Sequence, residues 1–337
     1  MAIDERKKQL IDWLAVTFST KKFSIKAASS DASFRRYFRV HFDDQSFIVM
    51  DAPPLKEDCT SFIAVANLLK AQGINAPKIF HQSLEDGFLV LSDLGSDSYL
   101  DKLTEQTVDK QYKDAVQVLH KMHGIGLKDL LIPSYDLALL RQEMDLFGEW
   151  FLKTLLGIDL SFKDKETLSQ VKEKLAASAL EQPQVFVHRD YHSRNLMVTK
   201  DNNPGVIDFQ DAVIGPLTYD LVSLYRDCYI AWSDEKIYAW LDDFLKQRQE
   251  RGEVDNFDHR QFYQWFDWMG VQRHMKAVGI FSRLLLRDGK EGYLKDIPRT
   301  LGYLITISER YEELKPLADL IDHYQVVEKF EQQPWIA

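Results

Sequence analysis

The chain has 337 residues, with 42 basic against 52 acidic side chains and a formal net charge of −10. That length can build two lobes with sizeable cores, and the acidic balance argues against nonspecific nucleic-acid binding as the main task. Two isolated cysteines, Cys59 and Cys228, and a charged N-terminus with an interrupted apolar run predict a soluble cytoplasmic protein without a structural zinc site, signal peptide or membrane partner.

Leu10, Ile11, Leu14 and Phe18 recur at helical spacing, so residues 4–18 are expected to form a leading amphipathic helix. Strand-like runs follow at Phe23–Ala28, Phe34–Phe42 and Phe47–Met50, joined by turns containing Ser29-Ser30-Asp31 and Asp43-Asp44. Thr60–Gln72 predicts a helix ended by Gly73, Pro77 opens another extended segment, and Phe88–Leu91 completes a count of five strands. Ser92–Ser96 is the expected linker. From Asp97 onward helical periodicity dominates. The exception is Val185–Asp211, where the apolar run Val185–Val187 breaks into a polar loop. Leu196–Thr199 and Val206–Ile207 then flank the turn DNNPG as two short strands. The segment Thr218–Trp232 has an amphipathic pattern. No internal repeat or low-complexity tract is present.

The polar residues of that exceptional stretch sit where strands end. His188-Arg189-Asp190, four residues and then Asn195 match the H-R-D-x-x-x-x-N catalytic loop of protein kinases, and Asp208-Phe209-Gln210 stands where the metal-binding D-F-G would be. Phosphoryl transfer needs one carboxylate facing the attacking hydroxyl, the expected role of Asp190, taken to be exposed in its loop. Magnesium prefers hard oxygen ligands and keeps several waters, so the amide of Asn195 and the carboxylate of Asp208 suffice beside the phosphates. His188 fits bracing the loop better than reacting. Turns favour Asp and Asn in any case, but the joint spacing with strands on both sides is specific.

The segment resembles the aminoglycoside phosphotransferase (APH) family, small-molecule kinases whose usual loop reads H-G-D-x-x-x-x-N. Asp220 in PLTYDLVSL matches a family aspartate that supports the loop. Within the family, SDASFRRYFRV, IVMDAPP, VLSDLGSDSYLD and the region 272–299 look like bacterial kinases that phosphorylate the anomeric hydroxyl of N-acetylmuramate and N-acetylglucosamine in cell-wall sugar recycling. The resemblance implies an α+β, protein-kinase-like bilobal fold. Residues 1–93 would form a small antiparallel-sheet N-lobe that binds nucleotide, and 94–337 a mainly helical C-lobe with the catalytic loop and substrate site. It also implies ATP and Mg2+, a small amino-sugar substrate and, as the working expectation, a monomer.

Two departures from the family bear on the phosphates. The first loop, Ser29-Ser30-Asp31-Ala32-Ser33, has no glycine, so it is either an ordinary hairpin turn or a small-residue turn with Ser30, Ala32 and Ser33 at the phosphates. Met50 occupies the place of the third-strand lysine, and the helix glutamate that would pair with it is also missing, since a buried charge left unpaired is costly. Alternation makes Arg36 the only charge among Phe34, Phe38 and Val40; it either snorkels at the sheet edge or, as expected here, reaches the phosphates. Backbone near Asp93 and Gly95 would hold the adenine. Gln272, Lys276, Arg283 and Arg287 form a basic stripe on one helix. It is either a solvated face or, with Arg194, Arg226, Asp227 and Arg283 at the substrate, part of a site for an anionic sugar. The competing readings are an aminoglycoside kinase, which would want acidic groups for its polycation, and a catalytically inactive nucleotide-binding scaffold, which would not need a base and two metal ligands together.

Overall fold

A computed structural model describes residues 4–30, 34–128, 130–253 and 258–335. It divides into two compact units. The first takes residues 1–107 together with 195–211, and the second takes 108–194 and 212–337.

The first unit is built on a five-stranded antiparallel sheet. Its strands are β1 (Ser24–Ser30), β2 (Arg36–Phe42), β3 (Gln45–Asp51), β4 (Ile79–Ser83) and β5 (Phe88–Ser92), in the order β1-β2-β3-β5-β4. The two-residue turn between β2 and β3 has Asp43 at φ 48°, a region that a short polar side chain tolerates. Helix α1 (Glu5–Thr17) is capped by Asp4, whose side chain accepts from Lys7 N. It buries Leu10 and Leu14 on Phe38, Val40, Val49, Phe88 and Val90. These alternate along β2, β3 and β5, so they define one face of the sheet. Helix α2 (Cys59–Ala71) follows β3 with Asp58 as its cap, and α3 (Tyr99–Lys102) closes the run. The late hairpin β7 (Leu196–Met197) and β8 (Gly205–Val206) joins this unit through backbone bonds, Val206 N to Asn75 O and Val198 N to Asp97 O, both 2.8 Å.

The second unit is mainly helical, as the sequence predicts. It holds α4 (Val108–His123), α5 (Leu137–Leu146) running into a π-helical segment Phe147–Leu155, α6 (Phe162–Glu181), α7 (Tyr219–Tyr225), α8 (Asp234–Glu250), α9 (His259–Asp288) and α10 (Ile297–Arg310), followed by α11 (Lys315–His323) and α12 (Val326–Glu331). One small ribbon, β6 (Gln184–Val187) against β9 (Val213–Pro216), delivers the chain to His188. No described helix is long and apolar enough to cross a membrane.

Two patterns resolve differently from the sequence expectation. All seven residues of α7 are buried, so the amphipathic reading of Thr218–Trp232 fails for its helical part: a helix covered on every side needs no polar face. The basic stripe on α9 is not one solvated face either. Gln272 is 0% and Lys276 8% exposed, while Arg287 lies outside. Close approach explains the burial. A Cβ on Gly279 would sit 2.4 Å from the Leu146 carbonyl carbon, so glycine lets α9 press its backbone onto α5.

Candidate active site

The H-R-D-x-x-x-x-N motif straddles the two units: His188, Arg189 and Asp190 belong to the second, Asn195 and Asp208 to the first. Each set is therefore described within its own unit.

In the second unit the loop after β6 hangs on two buried carboxylates. Asp220, on the first turn of α7, accepts from His188 N at 2.7 Å and Arg189 N at 3.0 Å. Asp227 accepts from Ser193 N at 2.9 Å with one oxygen and from Tyr229 N at 2.9 Å with the other. Between these anchors the buried His188 accepts from Asp190 N through Nδ1 at 3.2 Å, so the imidazole braces the loop from inside. Arg189 stands at φ 76°, where the family's usual glycine would be unstrained. Its guanidinium is ion-paired with Glu143, which also holds Lys276 at 3.0 Å. Burial pushes the Glu143 carboxyl up, but Lys276 and Arg189 outweigh it and hold it below its usual range.

Asp190, expected to be exposed, is half-buried, in a loop tied down on either side of it by Asp220 and Asp227. Burial alone would raise its carboxyl; Lys276, His192, Arg273 and Arg189 overcome that and bring it down to about 2. Asp220 shows the opposite balance. Burial pushes it up to about 7, against the two backbone donors. One carboxylate is thus kept charged and faces a cluster of cations, while the other is a dry internal anchor.

In the first unit Asp208 is at φ 65° and accepts on both oxygens, from Asn195 Nδ2 at 3.2 Å and Gln210 Nε2 at 2.8 Å. Ile207 N donates to Asn195 O at 3.1 Å, and Phe209 stacks on Phe62 of α2 with ring centroids 4.9 Å apart. A carboxylate and an amide this close fit the hard-oxygen donor set of Mg2+. Gln210 Oε1 is buried without a hydrogen-bond partner among the described residues; an acceptor there suits a water of a hydrated cation.

Of the residues expected at the nucleotide, Ala32 and Ser33 lie outside the described residues, and Ser30 ends β1 paired with Arg36. Met50 is fully buried between Tyr37 and Leu89 in the register. Arg36 lies opposite Asp51, on the sheet face that α1 covers. Asp51 accepts from Arg36 Nε at 2.9 Å and Arg6 Nε at 3.0 Å, and Asp4 takes the other end of Arg36. Arg35, one residue earlier, is instead paired with Glu57 at 2.9 Å. At the linker, Arg39 donates to Asp93 at 2.7 Å and to Gly95 O at 2.7 Å, while Gly95 N donates to Asp93 at 3.0 Å. Both backbone polar groups of Gly95 are therefore taken up inside the chain.

Of the residues expected at the substrate, Arg226 is fully buried and engaged by Asp267 at 2.6 Å and Tyr238 at 3.2 Å, and Asp227 anchors the loop as above. Arg283 is half-buried, and burial together with Arg287 lowers its guanidinium. Arg194 is 32% exposed and lies over the Tyr229 ring at 3.6 Å. Sequence reasoning missed Gln210, Arg39 and Glu143. Gln210 had a signal, an amide directly beside the metal-type aspartate; Arg39 and Glu143 had none, because their partners are distant in the chain.

The phosphotransferase enzyme family (APH) profile matches residues 24–263. An N-acetylmuramate/N-acetylglucosamine kinase of Pseudomonas putida is 45% identical over 302 residues, covering 90% of this chain and 88% of its own. Kinases of the same name from Pseudomonas aeruginosa and Neisseria meningitidis are 46% identical over 87% of this chain and 86% of their own, and 40% identical over 94% and 95%, respectively. Among solved structures, choline kinase LicA from Streptococcus pneumoniae aligns with a TM-score of 0.63 at 11% identity, over 90% of this chain and 100% of that one. ADP-bound aminoglycoside phosphotransferase APH(2'')-Ib aligns with a TM-score of 0.57 at 17% identity, over 88% and 97%. At such identities the likeness is one of fold, the protein-kinase-like fold expected from the motifs.

Proposed function

Because the chain belongs to the phosphotransferase enzyme family (APH), we propose that it is a cytoplasmic sugar kinase of cell-wall recycling. It transfers the terminal phosphoryl group of ATP to the anomeric hydroxyl of N-acetylmuramate and N-acetylglucosamine, giving the 1-phosphate. The substrate class is supported by the three relatives of that name, each matched over most of its length.

The observation that carries the chemistry is the state of Asp190. Held at about 2 by Lys276, His192, Arg273 and Arg189 against its burial, it is a charged acceptor that can orient a hydroxyl but is a poor base for an ordinary alcohol. An anomeric hydroxyl is more acidic, because the ring oxygen stabilises its conjugate base. Proton transfer can then come late, which suits a loose phosphoryl-transfer transition state. His188 fixes the loop through its bond to Asp190 N, and Asp220 and Asp227 hold the loop's two ends. Asn195 and Asp208 would hold Mg2+, which when bound neutralises charge on the phosphates; Gln210 and Asn195 keep the Asp208 carboxylate oriented.

The test is regiochemical. N-acetylmuramate incubated with ATP and magnesium should lose its reducing-end signal in step with ADP release, and phosphorus NMR should show coupling to the anomeric proton. ADP release with a persistent reducing end would place the phosphate on another hydroxyl. No ADP release with any sugar would remove the kinase reading.

A further inference from the structure

Next to the catalytic loop the second unit carries a cluster of side chains that the loop chemistry does not use. Arg194 lies four residues after Asp190 in sequence. Its guanidinium rests 3.6 Å over the Tyr229 ring and 5.7 Å from the Tyr293 ring. Tyr293 is stacked on Phe281 at 5.5 Å, and Phe281 in turn meets Tyr229 at 6.3 Å, so the aromatic floor is continuous. On one side stands Asp296, only 4% exposed. Its Oδ1 meets Arg299 Nη1 at 3.3 Å, but Oδ2 is 3.7 Å from Arg194 Nη2, beyond hydrogen-bond reach, and is buried with no hydrogen-bond partner among the described residues. Arg299 is itself tied to Cys228 O at 2.7 Å, which fixes this wall.

This buried carboxylate oxygen is ion-paired with Arg194 across 3.7 Å but has no hydrogen-bond donor among the described residues, and such an atom suits a place where a bound molecule supplies one. Beside it, an arginine lying flat on a tyrosine is held in place by the ring yet keeps the edge of its fork for a planar anion. The position also fits. His192 lies edge-on to Tyr229 at 5.1 Å, and its ring, pushed down by burial, feels both Asp190 and Arg194. His192 lies between Asp190 and Arg194 in the chain, so this ring contact ties the cluster to the loop that carries Asp190.

We propose that Arg194, Asp296, Tyr229 and Tyr293 form the subsite for an N-acylated amino sugar, with Arg194 binding a carboxylate carried by the acceptor and Asp296 accepting from one of its hydroxyl or amide N–H groups. The inference rests on the sugar-kinase reading above and adds the means by which an acidic and a neutral amino sugar are distinguished. Arg194 gains a charge-assisted pair only with the acidic sugar, whereas Asp296 and the rings meet both.

The test compares the Michaelis constants of Arg194→Gln, Asp296→Asn and Tyr293→Leu for N-acetylmuramate, N-acetylglucosamine and ATP, with thermal melts to check folding. Arg194→Gln should raise KM for N-acetylmuramate at least about tenfold, the loss of one charged hydrogen bond, and move the N-acetylglucosamine value far less. Asp296→Asn should raise both sugar constants about tenfold and leave ATP unchanged. If Asp296→Asn does not fold, Tyr293→Leu, at a half-buried position, carries the same expectation at about threefold, the value of one stacking contact. Equal effects of Arg194→Gln on the two sugars, unchanged sugar constants in the folded variants, or a rise for ATP instead would overturn the subsite. Calorimetric titration of the wild type with each sugar separates the two levels. Binding of neither sugar removes the sugar-kinase reading together with the subsite, whereas binding of both without the Arg194→Gln difference removes the subsite alone.

Discussion

The loop at Asp190 and the turn at Asp208 each put a non-glycine residue in the left-handed region, Arg189 at φ 76° and Asp208 at φ 65°, and they are held by opposite kinds of partner. The loop is held by buried carboxyl groups: Asp220 and Asp227 take its backbone N–H groups, and Glu143 takes the Arg189 side chain. The turn is held by neutral amides, Asn195 and Gln210. The difference follows from what each must do. A loop that positions a hydroxyl benefits from rigid, buried anchors and a surrounding cation field. A carboxylate that is to meet a metal must be oriented without being neutralised, which an amide does and an arginine would not.

The largest expected effect breaks the comparison on the loop side. Asp190→Asn should keep the fold and nucleotide binding but lower kcat by about 10²–10⁴, as read in a coupled ADP-release assay with the melting temperature as control. Wild-type turnover would remove Asp190 from the reaction.

On the turn side the effect should be on metal rather than turnover. Gln210→Leu should weaken Mn2+ binding in the presence of nucleotide about tenfold, the usual scale for an outer-shell partner, followed by the free Mn2+ EPR signal. Asp208→Asn should weaken it further, with some activity returning at high magnesium. An unchanged Mn2+ titration in both variants would mean that the amides serve packing only.

Arg189→Gly sharpens the contrast. It restores the residue that a left-handed backbone favours, yet removes one partner of the buried Glu143. Losing a buried ion-pair partner costs more than relief of one strained residue returns, and Lys276 still holds Glu143. A net loss of about 2 kcal/mol in denaturant unfolding is expected; a more stable variant would show that strain outweighs the pair.

The smallest effect is the pH dependence, where the two carboxylates have opposite signs. Asp190, at about 2 in the fold, lies below its unfolded value of about 3.9. Its stabilisation is fully present above about pH 5 and lost as pH falls toward 2, so it should contribute no acid limb to kcat/KM between about pH 5 and 8. Asp220, at about 7, binds a proton more tightly when folded, so its contribution to stability is lost as pH rises from about 4 through 7. Urea unfolding across that range should show the decline, and Asp220→Asn should flatten it. An unaltered slope in that variant would assign the decline elsewhere.

What the sequence determined by itself was the run of local elements and motifs. The five strand runs, the leading helix, the helix ended by Gly73 and the H-R-D-x-x-x-x-N and D-F-Q strings are legible because turns and periodicity involve residues a few positions apart. Tertiary structure alone decided which charges are used up and how. Arg36 sits among apolar residues in sequence, and only the β2–β3 register and α1 reveal that Asp51 and Asp4 engage it. Gln272 and Lys276 are spaced like a surface stripe, yet α9 is covered on that side, and periodicity cannot say which face of a helix is outward when several elements surround it. The segment 195–211 joins a unit whose other residues end at 107. Asp190 and Asp220 are the same residue type thirty positions apart, but one lies near Lys276, Arg273 and Arg189 and the other on backbone amides in a dry interior. Burial and charge partnership are sums over neighbours brought in from anywhere in the chain, and no window of sequence contains them.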